Sequence, residues 1–335
     1  MPLKSFSPLY GRRILILTHA GCDVDALSSA AAIHFSLKGK ARTIIGIPEH
    51  MNNSSAAFAK NLKLPFTVNP SLDGFDALLC VDFGRAVMAG SYGDKLDSFR
   101  GEKFLIDHHS ARQDIAPQKN ALVKSNAIST TEIVHDLLKA SKVKIQSRAY
   151  LCIAAGIISD SSSFMVADHE TFSIMAEVMR GAKASYAQIV SLFSVERDLS
   201  EKVACLKACR RCRIFRSGDA VVAVADIGAF EADAAGALVR VGADIAFCGY
   251  SDKGSVRVSG RLNNAWAKRN GIGLAKDVFA PLAKELGGEG GGHAGAAGYN
   301  GKGESVEPAL LKCVGLVNGF FSKKAGNASQ VKEYS

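Results

Sequence analysis

The sequence predicts an α/β protein: a parallel sheet with helices on both faces, then a helical connector, then a smaller second α/β domain. Three observations carry this. Short apolar runs alternate with longer helical patterns through the first half, as in parallel sheets covered on both sides. The strand signal then lapses over residues 183–215 and resumes near residue 220. The length of 335 residues suits two domains at roughly 150 residues each.

Taken in order, RRILILTH (12–19) is a short apolar, β-branched run and reads as a buried strand. DALSSAAAIHFSLKG (25–39) follows as a helix stopped by Gly39. ARTIIGIP is a second strand ended by Pro48, and FDALLCVDFG (75–84) and EKFLIDHH (102–109) are two more. Helices are expected at 129–140, 147–158 and 169–182. SYAQIVSLFS and LSEKVACLKACRRCRIF make residues 183–215 wholly helical. AVVAVADIG (220–228) opens the second domain. A helix near 231–240 and strands at 243–250 and 255–261 follow, the last two joined by the hairpin turn SDKG, where Gly254 is free to take positive φ. A helix over 272–286, the segment GGEGGGHAGAAG (287–298) and a helix near 308–321 complete the pattern. The expected boundaries are 1–184, 185–215 for the connector, 216–323, and a polar frayed tail over 324–335.

Composition narrows the class. Apolar residues make up 47% and charged residues 22%, near the globular average, which excludes a largely disordered chain, a collagen-like fibre and a coiled coil. No apolar run reaches the ~20 residues of a membrane span. The start MPLKSFSPLYGRR shows no apolar core of a signal peptide, so a cytoplasmic location is expected. The net charge of +9 suits a protein that handles nucleic acid, nucleotides or other phosphates. Eight cysteines are too sparse for a disulfide framework and read as reduced, mostly buried thiols.

The informative pattern is where polar residues fall. One strand runs into His19, and the loop behind it holds Asp23 and Asp25. Another runs into Asp82, a third into Asp107-His108-His109, and an apolar helix into Asp160. Ligands of open parallel sheets bind at the carboxyl ends of the strands. Taken singly, Asp23 or Asp25 is a natural N-cap, and Asp82 a turn cap before Gly84. Together they repel one another unless a cation neutralises them. Mixed carboxylate and imidazole ligands suit Mn²⁺, Zn²⁺ or Fe²⁺. Two ions ~3.5–4 Å apart that share a carboxylate fit six donors better than one ion does.

The segments H-x-x-x-D-x-D (His19, Asp23, Asp25), Val81-Asp82, Asp107-His108-His109 and Gly156-Ile157-x-x-Asp160 resemble the motifs of the DHH phosphoesterase superfamily. VRVSGR (256–261) and GGGHAGAAG (290–298) resemble its C-terminal associated domain, and the likeness spans roughly residues 12–320. The resemblance implies that His19 and Asp23 hold one metal, that Asp82 bridges, and that Asp25, His108 and Asp160 complete the second. Asp107 would orient its neighbour and His109 would reach the substrate phosphate. It implies two Mn²⁺ ions, with Mg²⁺ or Co²⁺ as substitutes. It also implies substrate contacts from Ser259, Arg261, Gly291, Gly292, His293, Gly295 and Ala296, in a cleft between the domains. Glycines without Cβ let backbone N–H groups approach an anion, and Arg offers a fork to a terminal phosphate. Arg257, Ser259 and Arg261 share one strand face by period two.

The expected function is a metal-dependent phosphoesterase on short oligoribonucleotides and small nucleotides such as pAp. The variants are a cyclic-dinucleotide phosphodiesterase and a RecJ-like exonuclease, and the non-enzyme alternative is an inactive nucleic-acid-binding scaffold. No membrane partner is expected, and a homodimer is the default assembly. Val24 stands where the family has Gly, Cys22 where it has Pro, Phe83 where Thr or Ser is common, and Ser161-Ser162 where Thr-Gly is usual. These departures bear on substrate choice. Cys205-x₃-Cys209-x₂-Cys212 has iron–sulfur spacing but falls in a helical pattern, where i, i+4, i+7 positions form one face; a buried thiol stripe is expected. Arg210, Arg211 and Arg213 read as a solvated basic face. His34, His50, His135 and His169 show no paired spacing.

Overall fold

The computed structural model describes residues 3–109, 113–326 and 330–334. The chain divides into two compact units, Met1–Val195 and Glu196–Ser335, so the boundary falls inside the 185–215 segment.

The first unit runs β1 (Arg13–Leu17), β2 (Gly21–Cys22), α1 (Val24–Ser36), β3 (Arg42–Ile47), β4 (His50–Met51), α2 (Asn53–Asn61), β5 (Thr67–Val68), β6 (Ala77–Val81), α3 (Gly93–Ser98), β7 (Glu102–Asp107), β8 (Ala121–Val123), α4 (Thr130–Ala140), α5 (Ser147–Asp160), α6 (His169–Ala182) and α7 (Tyr186–Phe193). Its main sheet has the order β5-β3-β1-β6-β7-β8, parallel throughout. Alternate residues of each strand point to opposite faces. Ile14, Ile16, Leu79, Val81, Phe104 and Ile106 therefore join one core with α1, α4 and α5. Leu15, Leu17, Leu78, Cys80 and Leu105 join another, closed by Phe83, Ala89, Tyr92 and Leu96. Both faces are covered, which is why the strands read as continuous apolar runs.

The chain leaves β1 for β3 on one side and later returns to β6 on the other. The connections from β1 and β6 diverge there and open a crevice at the strand ends. Helix α1 starts in that crevice, capped by Asp23, whose side chain accepts from the Ala26 amide at 3.0 Å. Its small residues, Ala30 to Ala32, face a helix equally rich in Ala and Gly, α5, so the two backbones approach closely.

The second unit runs α8 (Leu199–Arg211), β9 (Arg213–Ser217), β10 (Ala220–Asp226), α9 (Glu231–Val241), β11 (Ile245–Asp252), β12 (Ser255–Leu262), α10 (Asn264–Asn270), a π-helical turn (Leu274–Phe279), α11 (Ala280–Leu286), β13 (Glu289–Gly292), β14 (Ala296–Lys302), α12 (Glu307–Ala325) and β15 (Val331–Tyr334). The sheet order is β13-β14-β12-β11-β10-β9-β15. Lys253 and Gly254, both at positive φ, form the expected two-residue hairpin turn. One face buries Val222, Val224, Ile245, Phe247, Val258 and Tyr299 with α12. The other buries Ala223, Ala225, Ala246 and Cys248 beneath α8 and α9.

Two expectations are corrected. The helical reading of 183–215 breaks at Cys212, because Arg213–Ser217 pairs with β10 and strand pairing outweighs local propensity. The tail does not simply fray: Val331–Tyr334 adds a strand to β9, anchored by Arg213, which donates to both Glu333 carboxylate oxygens at 2.7 and 2.9 Å. Asn327-Ala328-Ser329, formally a glycosylation triplet, lies outside the described residues. The glycine-rich segment forms two paired strands, β13 and β14. It is a hairpin in which Gly291 faces Gly298 and Gly292 faces Ala297.

The hairpin glycines differ in purpose. A Cβ at Gly290 would collide with the Phe279 carbonyl, whereas one at Gly291 meets nothing within 4 Å. Gly290→Ala is expected to lower the unfolding free energy by about 1–3 kcal/mol, while Gly291→Ala leaves it within about 0.5 kcal/mol. Urea denaturation of the two variants checks this; equal stabilities would show that Gly290 is not required for packing.

Candidate metal centre

The polar residues at the strand ends converge in the first unit. His19, Asp23 and Asp82 offer donor atoms within 4.8 Å of one another, as do Asp25, His108 and Asp160, and Asp82, His108 and His109. Asp82 lies between the groups. Its Oδ2 is 4.0 Å from His19 Nε2 and its Oδ1 3.6 Å from His108 Nε2. His108 Nε2 is also 3.2 Å from Asp160 Oδ2, and His19 Nε2 is 3.7 Å from Asp23 Oδ1.

Local structure explains each position. Asp82 follows β6 with φ of +67°, a left-handed conformation that Asp and Asn tolerate better than most residues. This turns the chain at the strand end. Asp25 sits in the first turn of α1, fully buried. Its carboxylate accepts from the backbone amides of Thr130 at 2.6 Å and Thr131 at 3.1 Å, and from the Thr131 hydroxyl at 2.8 Å. These amides open α4, so a helix N-terminus faces the carboxylate. The Thr130 hydroxyl donates to Asp82 Oδ1 at 2.7 Å. Gly156 admits this packing: a Cβ there would stand 2.6 Å from Asp25 Oδ1.

Thr130 and Thr131 are the site residues that sequence reasoning missed. Their one signal is a pair of hydroxyl residues directly behind the cap Ser129, ordinary at any helix start.

The histidines are oriented from behind. His108 Nδ1 faces the Ala127 carbonyl at 3.3 Å; donating there leaves Nε2 as the lone-pair nitrogen toward Asp82 and Asp160. Asp107 is fully buried. Its Oδ1 accepts from His109 Nδ1 at 2.8 Å and from the His109 amide at 3.2 Å. His109 itself is exposed.

Electrostatics shows what the cluster lacks. Burial first, then the charges of Asp160 and Asp23, push Asp25 up to about 8. Burial, followed by Asp25 and Asp23, raises Asp82 well above the ordinary carboxylate range. Burial opposes ionised Asp23 too, but hydrogen bonds from His19 and the Ala26 amide hold it low. Burial opposes charge on His108, yet Asp160 and Asp25 push it up to about 9. Among the described residues these carboxylates pair with histidines alone, and no lysine or arginine neutralises them. Oxygen and nitrogen donors crowded without a fixed cation fit divalent metal ions.

The second-unit residues fall on one sheet face. Directly paired residues of neighbouring antiparallel strands share a face. Ser259 lies between Cys248 and Gly298, and Arg261 between Ala246 and Ala296. Small neighbours leave both polar side chains half-exposed, with Gly291, Gly292 and His293 exposed and Gly295 half-exposed at the hairpin end. Arg213 departs from the solvated-face reading, since it also pairs with Glu307 at 2.8 Å. The expected thiol stripe is likewise incomplete: Cys205 is buried, but Cys209 is exposed and Cys212 intermediate, because Cys209 lies on the outer side of α8.

Residues 13–157 match the family described as "DHH family, N-terminal domain". An uncharacterized protein of Methanocaldococcus jannaschii is 27% identical over 95% of this chain and 96% of its own length. The crystal structure of an exopolyphosphatase-related protein from Bacteroides fragilis shares the fold, with a TM-score of 0.64 and 17% identity over 92% of each chain. The match over residues 13–157 holds every residue of the metal centre except Asp160.

Proposed function

We propose that this chain is a Mn²⁺-dependent phosphoesterase that hydrolyses short oligoribonucleotides to mononucleotides, and also pAp. The observation that carries the reading is the position of Asp82, common to two donor groups. His19 and Asp23 would hold one ion, Asp25, His108 and Asp160 the other, and Asp82 both. When bound, such ions neutralise phosphate charge and make water a nucleophile near neutral pH.

The chain supplies the rest. Thr130 and Thr131 hold the Asp25 and Asp82 carboxylates in place before substrate arrives. Asp107 fixes His109 through Nδ1, which leaves His109 Nε2 free to donate to a phosphate oxygen or a leaving group. In the second unit, Arg261 and Ser259 would take a terminal phosphate, the small residues Gly291, Gly292, Gly295 and Ala296 would make room for sugar or base, and His293 would add a donor. The +9 charge favours polyanionic substrates.

The deciding experiment incubates the protein with Mn²⁺ and an RNA trimer, a long RNA, pAp and a cyclic dinucleotide. Fastest release of mononucleotide from the trimer, with pAp turnover, is expected. Faster digestion of the long RNA would make it an exonuclease, and preference for the cyclic dinucleotide a signalling phosphodiesterase. Asp82→Asn keeps a residue that tolerates positive φ and should cut turnover on the order of a thousandfold; unchanged turnover would refute the shared-ligand role. Arg261→Ala should raise KM for 5′-phosphorylated trimers about tenfold or more and leave unphosphorylated ones nearly unchanged.

Proton linkage gives a further expectation. Asp25 is raised from 3.8 to about 8, so its stabilising protonation is complete below the lower value and lost as pH rises through the upper one. His108, raised from 6.5 to about 9, loses its contribution in the same direction. The Tm of EDTA-treated protein should fall on the order of 5 °C between pH 6 and pH 9. Added Mn²⁺ should restore more at the higher pH, where ligands need not shed protons. A metal-free Tm that rises with pH over this window would contradict the arrangement.

A further inference from the structure

Past Asp160 the backbone is strained. Helix α5 ends on that residue. Three consecutive residues that are not glycine, Ser162, Ser163 and Phe164, then take positive φ of 51°, 58° and 72°. L-residues visit the left-handed region singly as a rule, and such strain persists where surrounding contacts over-determine it. Here the contacts are hydrogen bonds back onto the end of α5. The Ser163 amide donates to the Ile158 carbonyl at 2.8 Å, the Ser162 amide to the Ser159 carbonyl at 3.1 Å, and the Val166 amide to the Ser161 carbonyl at 3.2 Å. The Phe164 amide donates to the hydroxyl of Ser161 at 3.0 Å, and Ser161 is fully buried.

What this turn presents is aromatic. Phe164 is half-buried and packs against the core of the first unit. Its ring stacks on Phe172 of α6, with centroids 5.4 Å apart and an interplanar angle of 29°. It also lies 5.8 Å from the ring of Tyr186, the first residue of α7. Phe172 is 53% exposed and Tyr186 40%, and Met165 and Val166 beside them are exposed as well. Single apolar residues on a surface need no explanation. A contiguous three-ring cluster is a different matter, since Phe172 and Tyr186 gain too little burial for the core to account for them.

Position and charge indicate the occupant. Phe164 follows the candidate metal ligand Asp160 by four residues, a stretch that reaches at most about 14 Å when extended and less when folded back as here. A nucleotide whose phosphate lies at the metal centre holds its base within that reach. Aromatic side chains accept any base on their π-faces, and the net charge of +9 favours a polyanion over a neutral apolar partner.

We propose that Phe164, Phe172 and Tyr186 form a stacking platform for a nucleobase of the strand whose phosphate lies at the metal centre. The platform rests on the phosphoesterase reading given above, and it belongs to the first unit. Phe164 anchors it in the core, and Phe172 and Tyr186 supply the open ring surface.

The test reads binding and turnover separately. An RNA trimer carrying 2-aminopurine, with phosphonate linkages that keep the charge and resist hydrolysis, is titrated into the Mn²⁺-loaded protein. Its fluorescence should be quenched as the base stacks. Phe172→Ala and Tyr186→Ala should each weaken this binding about tenfold. Phe172→Trp should preserve it, and Phe172→Leu, apolar without a π-face, should not. On a hydrolysable trimer Phe172→Ala should raise KM about tenfold with kcat nearly unchanged, and it should leave KM for a trimer of abasic sugars as in the wild type. Val241→Ala, which trims an exposed residue of α9, should change neither reading. Circular dichroism checks that the variants fold. Equal binding by Phe172→Ala and wild type would overturn the platform, as would tight binding by Phe172→Leu. A change of mass by light scattering in Phe172→Ala, with quenching unaltered, would make the patch a face between two copies and overturn it too. Absence of trimer turnover alone would refute the phosphoesterase reading, and the quenching would then judge the platform by itself.

Discussion

Carboxylates crowded at one end of a parallel sheet, with no lysine or arginine among the described residues paired to them, are the constraint on which the first unit depends. Burial and mutual repulsion raise Asp25 and Asp82. Metal-free, the cluster must take up protons; with divalent cations it need not. The surrounding fold answers this cost in advance. The N-terminus of α4 aims two amides at Asp25, and the Thr130 hydroxyl serves Asp82. Gly156 lets α5, which ends on Asp160, close against Asp25 and Thr131. Binding and architecture are thus one problem here, since the elements that position donors also bear their repulsion.

The second unit divides its work between the faces of one sheet. The face toward α12 is apolar and large-residued, and it supplies the stability. The opposite face carries the small residues Ala223, Ala225, Ala246 and Cys248 at its middle. Over β10 and β11 it receives α8 and α9, and over β12 to β14 it leaves Ser259 and Arg261 among small neighbours. Cys248 and Ser259 are direct cross-strand partners, so the covered part of this face and the proposed phosphate-binding part share a strand pair.

Legibility varied with the range of the interaction. The strands around Ile16, Leu79 and Ile106 were readable because burial on both faces leaves a continuous apolar run. Helix α1 was readable from its alanines and from the aspartates at its start. The 2-residue strands Gly21–Cys22 and Thr67–Val68 were not, since so short a pairing has no period. Strand β9 was misread because Arg213 to Ser217 continues a helical pattern until β10 pairs with it. Val331–Tyr334 was misread because its partner lies more than a hundred residues away.

By itself the sequence determined the order of the donor motifs, the parallel α/β class and the identity of the six candidate metal ligands, because motifs, strand runs and helix periods are local properties. Tertiary structure decided what distance along the chain conceals. It placed Asp82 between two donor groups, recruited Thr130 and Thr131, and separated the packing glycine Gly290 from the open Gly291. Each depends on the packing of segments far apart in sequence, where the physics is fixed by contact and not by neighbourhood in the chain.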